Sequence, residues 1–328
     1  MSTTNPAVST RPWSAWLSYA LIAAFVAWCG LALGKDIAAI DFGPVAAGWP
    51  LIAAAAALSL LNYLARVVRW RAFIGALGLR LPWRFAALTF MSGFAFTLSP
   101  GKVGEVIRAR YYAPLGLGMV DVAAAFFAER LQDLLAMIVI AAFAVVALQG
   151  YGLFLSLALG LVAALVGVAQ LCPWARLESR FAQRPGRVAG ALAKLAGLFV
   201  RSRRFFAMRY FAGGLALALV AWGLEAFGLW LLCEAVAPSA ISLPVAMGIY
   251  SLAVVVGALS FLPGGLGSTE AAMAGLLSAQ GLPLPQALLA TLLCRLLTLW
   301  LAVAIGWLCI ALLRGAPIGR TAQLGTQA

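Results

Sequence analysis

The 328-residue sequence contains no histidine and only ten acidic side chains. Without imidazole, the commonest metal ligand and the usual general base are both missing. Its five cysteines (Cys29, Cys172, Cys233, Cys294, Cys309) are scattered through or beside apolar stretches. Neither a metal nor a disulfide spacing joins them, so they read as small hydrophobes. Charged residues make up 10% of the chain against 64% hydrophobic, with a mean hydropathy of +1.01. That balance excludes a soluble domain.

Long apolar runs fill the chain instead. Those at 14 to 34, 44 to 65, 119 to 148, 151 to 171, 210 to 237 and 284 to 313 each reach the roughly 20 residues needed to cross about 30 Å of hydrocarbon. The first run is long for a removed signal and shows no small-residue cleavage site, and bulky Trp28 before Cys29 argues against a lipoprotein anchor. The fold expected is an all-α polytopic membrane protein, one transmembrane domain over 1–328.

Lys and Arg total 23, giving a net charge of +13. In a soluble protein this would suggest nucleic acid; here the basic residues fall between apolar runs and report orientation, so no nucleic-acid partner is expected. Arg66, Arg69, Arg71, Arg80 and Arg84 follow the second run, and Arg176, Arg180, Arg184, Arg187, Lys194, Arg201, Arg203 and Arg204 fill the segment 172–208. Both segments and both termini are therefore expected in the cytoplasm. Within 172–208, Val188, Leu192, Leu195 and Phe199 form one helical stripe, as for an amphipathic helix lying on anionic lipid. Arg66, Arg69, Trp70 and Arg71 read as an interface anchor, and Arg108, Arg110, Tyr111 and Tyr112 as a headgroup-level belt.

Two stretches repeat one motif: Ser99-Pro100-Gly101-Lys102-Val103-Gly104-Glu105 and Leu262-Pro263-Gly264-Gly265-Leu266-Gly267-Ser268-Thr269-Glu270. One constant offset carries Glu105 to Glu270, Gly116 to Gly281, Arg130 to Arg295 and Leu131 to Leu296; a slightly shorter one carries Pro100 to Pro263 and Asn62 to Glu225. Shared apolar composition does not produce matched Pro, Gly, Glu and Arg. Two repeats, about 49–148 and 210–313, are therefore expected. Residues 85 to 98 are too short to span, and the arm after them carries Lys102, Glu105, Arg108 and Arg110, so a helical hairpin, re-entrant or broken, fits both facts. With a second hairpin over 244–281 entering from the opposite face, the expectation becomes six transmembrane helices plus two hairpins related by an inverted repeat.

The duplicated polar residues are the candidates for chemistry. Ser99 before Pro100 is the pattern of a helix cap and first helical position. The N–H groups of such a helix, Lys102, and the close approach allowed at Gly101 and Gly104 would suit an anion. Gly264, Gly265, Gly267 and a cap at Ser268 or Thr269 would make a similar tip from the other side, unless the Pro-Gly pairs merely make the turns. Glu105 and Glu270 fall in the first turns, where a carboxylate either stabilises the helix dipole or contacts a headgroup or proton. Arg130 and Arg295 sit deep in apolar helices and must face protein interior. Glu129 and Asp133 are local partners for Arg130, whereas Arg295 needs Glu270, Glu225 or a ligand. A guanidinium suits a lipid phosphate as well as a gate ion pair. Asn62 and Glu225 are expected to line the same cavity.

With Ala128-Glu129-Arg130-Leu131 and Arg295, the two motifs resemble the lysylphosphatidylglycerol synthase transmembrane-region family, also called the flippase-like domain family, over about 14 to 313. The resemblance implies a bacterial inner-membrane protein whose relatives move lipids between leaflets or serve lipid-linked glycans. The soluble synthase domain of the bifunctional relatives has no counterpart here, so lysyl-lipid synthesis is not expected. The leading expectation is a flippase or scramblase for an anionic phospholipid or polyprenyl-phosphate lipid, needing no cofactor or metal. Two alternatives stay open: a membrane-embedded lipid-modifying enzyme, built on Glu105, Glu129, Asp133 and Glu270, and a non-transporting partner of a lipid-modifying complex.

Overall fold

A computed structural model describes residues 41–142 and 152–315, and all the regular structure among them is helical. These residues belong to one compact unit that begins at Asp41. The expected crossing at 14 to 34 and the end of the one at 119 to 148 lie outside the described residues.

Helix α1 (Trp49–Ala76) starts with a proline in its first turn and is followed by Gly78, whose φ of 95° ends the helical path. Its 28 residues extend about 42 Å at 1.5 Å each, well past the apolar run. The segment expected to leave the membrane after residue 65 therefore stays helical and carries Arg66, Arg69 and Arg71 along with it. A first hairpin follows. Its outward arm is α2 (Trp83–Ser92) with a 3₁₀ turn at Gly93–Phe96, and its return arm is a 3₁₀ segment at Pro100–Arg108 running into a helical turn at Ala109–Tyr112. Next come α3 (Met119–Ala142) and α4 (Gly152–Leu171).

The basic central segment folds as α5 (Trp174–Ala182) and α6 (Arg187–Ser202), packed on each other. Phe199 holds α6 down, stacked on Trp174 and edge-on to Phe127, while Val188, Leu192 and Leu195 remain exposed. Then α7 (Met208–Val236) leads to a second hairpin, α8 (Leu243–Leu259) and α9 (Ser268–Ala279), and to α10 (Leu284–Arg295). A π-turn at Leu296–Trp300 joins α10 to α11 (Leu301–Gly315).

Among the described residues, three helical stretches are long and apolar enough to cross a bilayer: Trp49–Ala76, Met208–Val236 and Leu284–Arg314. A fourth is the pair Ser156–Leu171 and Trp174–Ala182, bent by 65°. α3 has the length but carries Glu129, Arg130 and Asp133 mid-helix, so its passage through hydrocarbon requires that neighbouring helices cover them.

The helix pairing α1 with α7 is the most extensive in the fold. Asn62 on α1 pins it by donating to the Ala221 carbonyl at 2.8 Å. The first hairpin packs on α11, and α8 of the second packs on α3. Gly306 makes the first of these contacts possible, because any Cβ there would overlap the backbone of Ala95.

Candidate functional site

The two hairpin tips touch. At Gly264 a Cβ would lie 2.8 Å from Leu98 of the first tip, and the residue also adopts φ 62°, so both space and backbone call for glycine. Next to the tips lies a cavity of about 320 Å³. Mostly apolar walls from α3, α4, α7 and α8 enclose a few polar groups: Arg66, Thr97, Glu105, Arg130, Asp133, Glu225, Tyr250, Thr269, Arg295 and Thr298.

One wall of this cavity backs onto a buried ion cluster. Glu129, fully buried, is 3.2 Å from Arg69, 3.0 Å from Arg108, 3.2 Å from Arg130 and 3.8 Å from Arg66. Asp133, one helical turn on, is 2.6 Å from Arg69 and 2.8 Å from Arg130. Glu105 adds a longer 3.9 Å pairing to Arg108 and accepts a 3.0 Å hydrogen bond from Thr97. Four guanidiniums thus share three carboxylates. Aromatic faces take up the remaining positive charge: Arg108 lies 3.7 Å over Trp70, and Arg66 stands over Phe90, Phe94 and Trp222. Arg66 is the least well paired of the four. Its one carboxylate approach, to Glu129, is 3.8 Å, whereas each of the other three has a pair of 3.2 Å or less; its buried Nε, like theirs, has no hydrogen-bond partner among the described residues, and its side chain borders the cavity.

A second, smaller cluster holds the second tip. Arg295 donates through Nε to Glu270 at 2.5 Å and through Nη2 to the Gly264 carbonyl at 2.9 Å. The other oxygen of Glu270 accepts the Gly267 N–H at 2.6 Å. Just beyond Arg295, the π-turn leaves backbone carbonyls without their usual helical partners, and Tyr63 donates to one of them, on Thr298, at 2.8 Å. Tyr250 donates to Glu225 across the cavity wall. At the outer end Phe261 holds a left-handed backbone, φ 54°, and is 72% exposed. With Leu262 and with Leu161 of α4, also exposed, it gives the cavity an apolar lip.

Several expected roles change. Ser99 does not cap a helix: the chain after Pro100 is 3₁₀ rather than α, and the Ser99 hydroxyl accepts the Gly104 N–H at 2.6 Å while donating to Phe96. Gly104 serves that close approach, since a Cβ would meet Ser99 and Phe96. Glu105 consequently lies in the middle of a 3₁₀ segment, not in the first turn of an α-helix. The side chains of residues 100–103, Lys102 among them, lie outside the described residues. At the second tip the cap is Gly267, with Glu270 closing back on it; Ser268 bonds Ser260 and Gly265, and Thr269 is buried against Gly257 and Gly265. Asn62 is committed to the α1 and α7 interface away from the cavity, whereas Glu225 does line it.

Three arginines were misplaced by local pattern. Arg69 and Arg108, expected at the membrane surface, are 1% and 0% exposed, and Arg66 is buried beside them. A signal was present: Asn62, Arg66 and Arg69 fall four and three residues apart, on one face of α1.

The sequence matches the family described as the lysylphosphatidylglycerol synthase TM region over residues 15–306. The chain belongs to that family. A UPF0104 membrane protein from Methanothermobacter thermautotrophicus is 29% identical over 314 residues, covering 88% of this chain and 90% of its own length. Three guanidiniums of the described site, those of Arg66, Arg130 and Arg295, border the mostly apolar cavity.

Proposed function

We propose that the protein is a flippase or scramblase-like transporter that carries an anionic phospholipid or a polyprenyl-phosphate-linked lipid across the cytoplasmic membrane. The observation that carries this reading is Arg66: a buried, underpaired guanidinium on an apolar cavity where two hairpin tips meet. A lipid phosphate entering there would satisfy its free N–H groups, with Arg130 and Arg295 on neighbouring walls. The apolar lip at Leu161, Phe261 and Leu262 offers a passage for the acyl or prenyl chain without exposing it to water. Glu105, Glu129 and Asp133 hold the arginines in place through ion pairs, a role that favours transport over catalysis for these carboxylates.

The two halves, 49–142 and 208–315, form an inverted repeat in this reading. Support comes from the exchange of contacts between them, the first hairpin on α11 and α8 of the second hairpin on α3. Arg130 and Arg295 are then equivalent residues facing one pathway from opposite leaflets. The basic segment and both termini lie on the cytoplasmic side.

Purified protein in liposomes tests the proposal directly. Leaflet exchange of a fluorescent anionic phospholipid should be accelerated over protein-free vesicles, and Arg66→Ala should abolish most of that acceleration. Exchange no faster than in empty vesicles, for both the phospholipid and a prenyl-phosphate probe, would refute it. New lipid species in the mass spectrum would favour the enzyme instead.

A further inference from the structure

A second and smaller depression of about 90 Å³ lies between the first hairpin and α11 and shares no lining residue with the cavity. Its composition is graded. At the rim stand Arg110 and Arg314, both exposed. Neither has an ion-pair partner among the described residues; Arg110 has only the face of its neighbour Tyr111, at 5.2 Å. Farther along the depression the rings of Phe96 and Trp307 meet with centroids 6.0 Å apart, and Ile107 also lines it.

Helix geometry explains the gradient. Trp307, Ile310 and Arg314 are three and four residues apart, so they share one face of α11. From Trp307 to Arg314 that face rises about 10 Å. Arg314 occupies the last turn of a helical stretch long enough to span a bilayer, which puts it at the water interface. The depression therefore has two like charges at headgroup level and aromatic surface one to two turns deeper. Trp307, 52% exposed, faces outward where lipid tails would be.

From this arrangement we infer that the groove between the first hairpin and α11 is a binding site for an anionic diacyl phospholipid, distinct from the transport cavity. The phosphate lies between Arg110 and Arg314, and the upper part of one acyl chain lies on Phe96, Ile107 and Trp307. Two guanidiniums with no carboxylate between them repel each other; a phosphate relieves that repulsion and adds charge-assisted hydrogen bonds. A zwitterionic headgroup brings its own ammonium and relieves less. A lipid seated here would bridge the hairpin to α11. The site does not depend on what passes through the cavity.

The test uses full-length protein in phosphatidylcholine vesicles doped with phosphatidylglycerol that carries a photoreactive group near the top of one chain. Irradiation should label Phe96, Ile107 or Trp307. Unlabelled phosphatidylglycerol should compete, whereas glycerol 3-phosphate at the same concentration should not. In Arg110→Gln/Arg314→Gln, labelling at these positions should fall roughly tenfold to thirtyfold, since each basic side chain near an anionic headgroup contributes about a factor of five. Arg110→Lys/Arg314→Lys should keep most of it. Equal labelling by a photoreactive phosphatidylcholine, competition by soluble glycerol phosphate, or undiminished labelling in the Gln variant would each overturn the assignment. Because the competition experiments use wild-type protein, they decide the matter even if the double variant fails to fold.

Discussion

Arg295 and Glu270, on successive helices of the second half, form a 2.5 Å ion pair that also ties the Gly264 and Gly267 backbone of the hairpin tip. Their counterparts by sequence register, Arg130 and Glu105, are partnered otherwise. Arg130 turns to Asp133 and Glu129, and Glu105 to Thr97 and Arg108. The matched residues are therefore held by different bonds: Arg295 and Glu270 pair with each other, whereas Arg130 and Glu105 bond separate partners.

The first prediction concerns that tip. Arg295→Ala removes a charge-assisted pair and a backbone contact together. Bonds of this kind contribute about 1.5–3 kcal/mol, so leaflet exchange should fall by roughly tenfold or more. Arg295→Lys reaches one partner but not both and should be intermediate. Equal exchange in wild type and Arg295→Ala would remove Arg295 from the pathway.

Glu129 is the keystone of the other cluster. Glu129→Ala leaves four buried or half-buried guanidiniums with Asp133 and the distant Glu105 alone, a loss of about 3–5 kcal/mol for a broken buried ion pair. Thermal unfolding in mild detergent should show a large drop, with Glu129→Gln less severe. Arg80→Ala, at an exposed position, should change stability by less than about 0.5 kcal/mol.

Packing between the halves gives a third. At Gly306 a side chain would overlap the first hairpin, whereas at Gly160 on α4 a methyl group would find open space. Gly306→Ala should destabilise by about 1–3 kcal/mol, while Gly160→Ala should be neutral or gain up to about 1 kcal/mol in helix propensity. Unfolding midpoints of the two variants measured side by side check the contrast.

Filling the cavity gives a fourth. Val254 lines it with an apolar side chain, so Val254→Trp should occupy space the lipid needs while leaving both ion clusters intact. Exchange should drop severalfold with the unfolding temperature nearly unchanged. A blocked variant that is also unfolded would be uninformative, so Leu134→Trp on the facing helix serves as the second plug; exchange undiminished in both would place the route elsewhere.

Some of this was readable from residue spacing. Arg130 and Asp133 are three apart on one helix, and the structure joins them. For Arg295 the spacing left Glu270, Glu225 or a ligand open, and the structure gives it Glu270. Glu105 was not readable in the same way: the duplicated motif is 3₁₀ and wide in one copy and sharply capped in the other, so an identical glutamate meets different neighbours. Pocket residues such as Thr97, Tyr250 and Thr298 carried no local signal, because a single hydroxyl in an apolar helix looks the same whether it faces lipid, a carbonyl or a cavity.

Composition and periodicity were enough for a helical membrane protein with a duplicated Pro-Gly motif, because both hydropathy and helix-breaking act over a few neighbouring residues. Three-dimensional packing was needed to move Arg66, Arg69 and Arg108 from the membrane surface into the interior. Basic side chains after an apolar run are solvated by default. They become core residues only when another helix brings carboxylates within about 4 Å, and here α3 does so with Glu129 and Asp133.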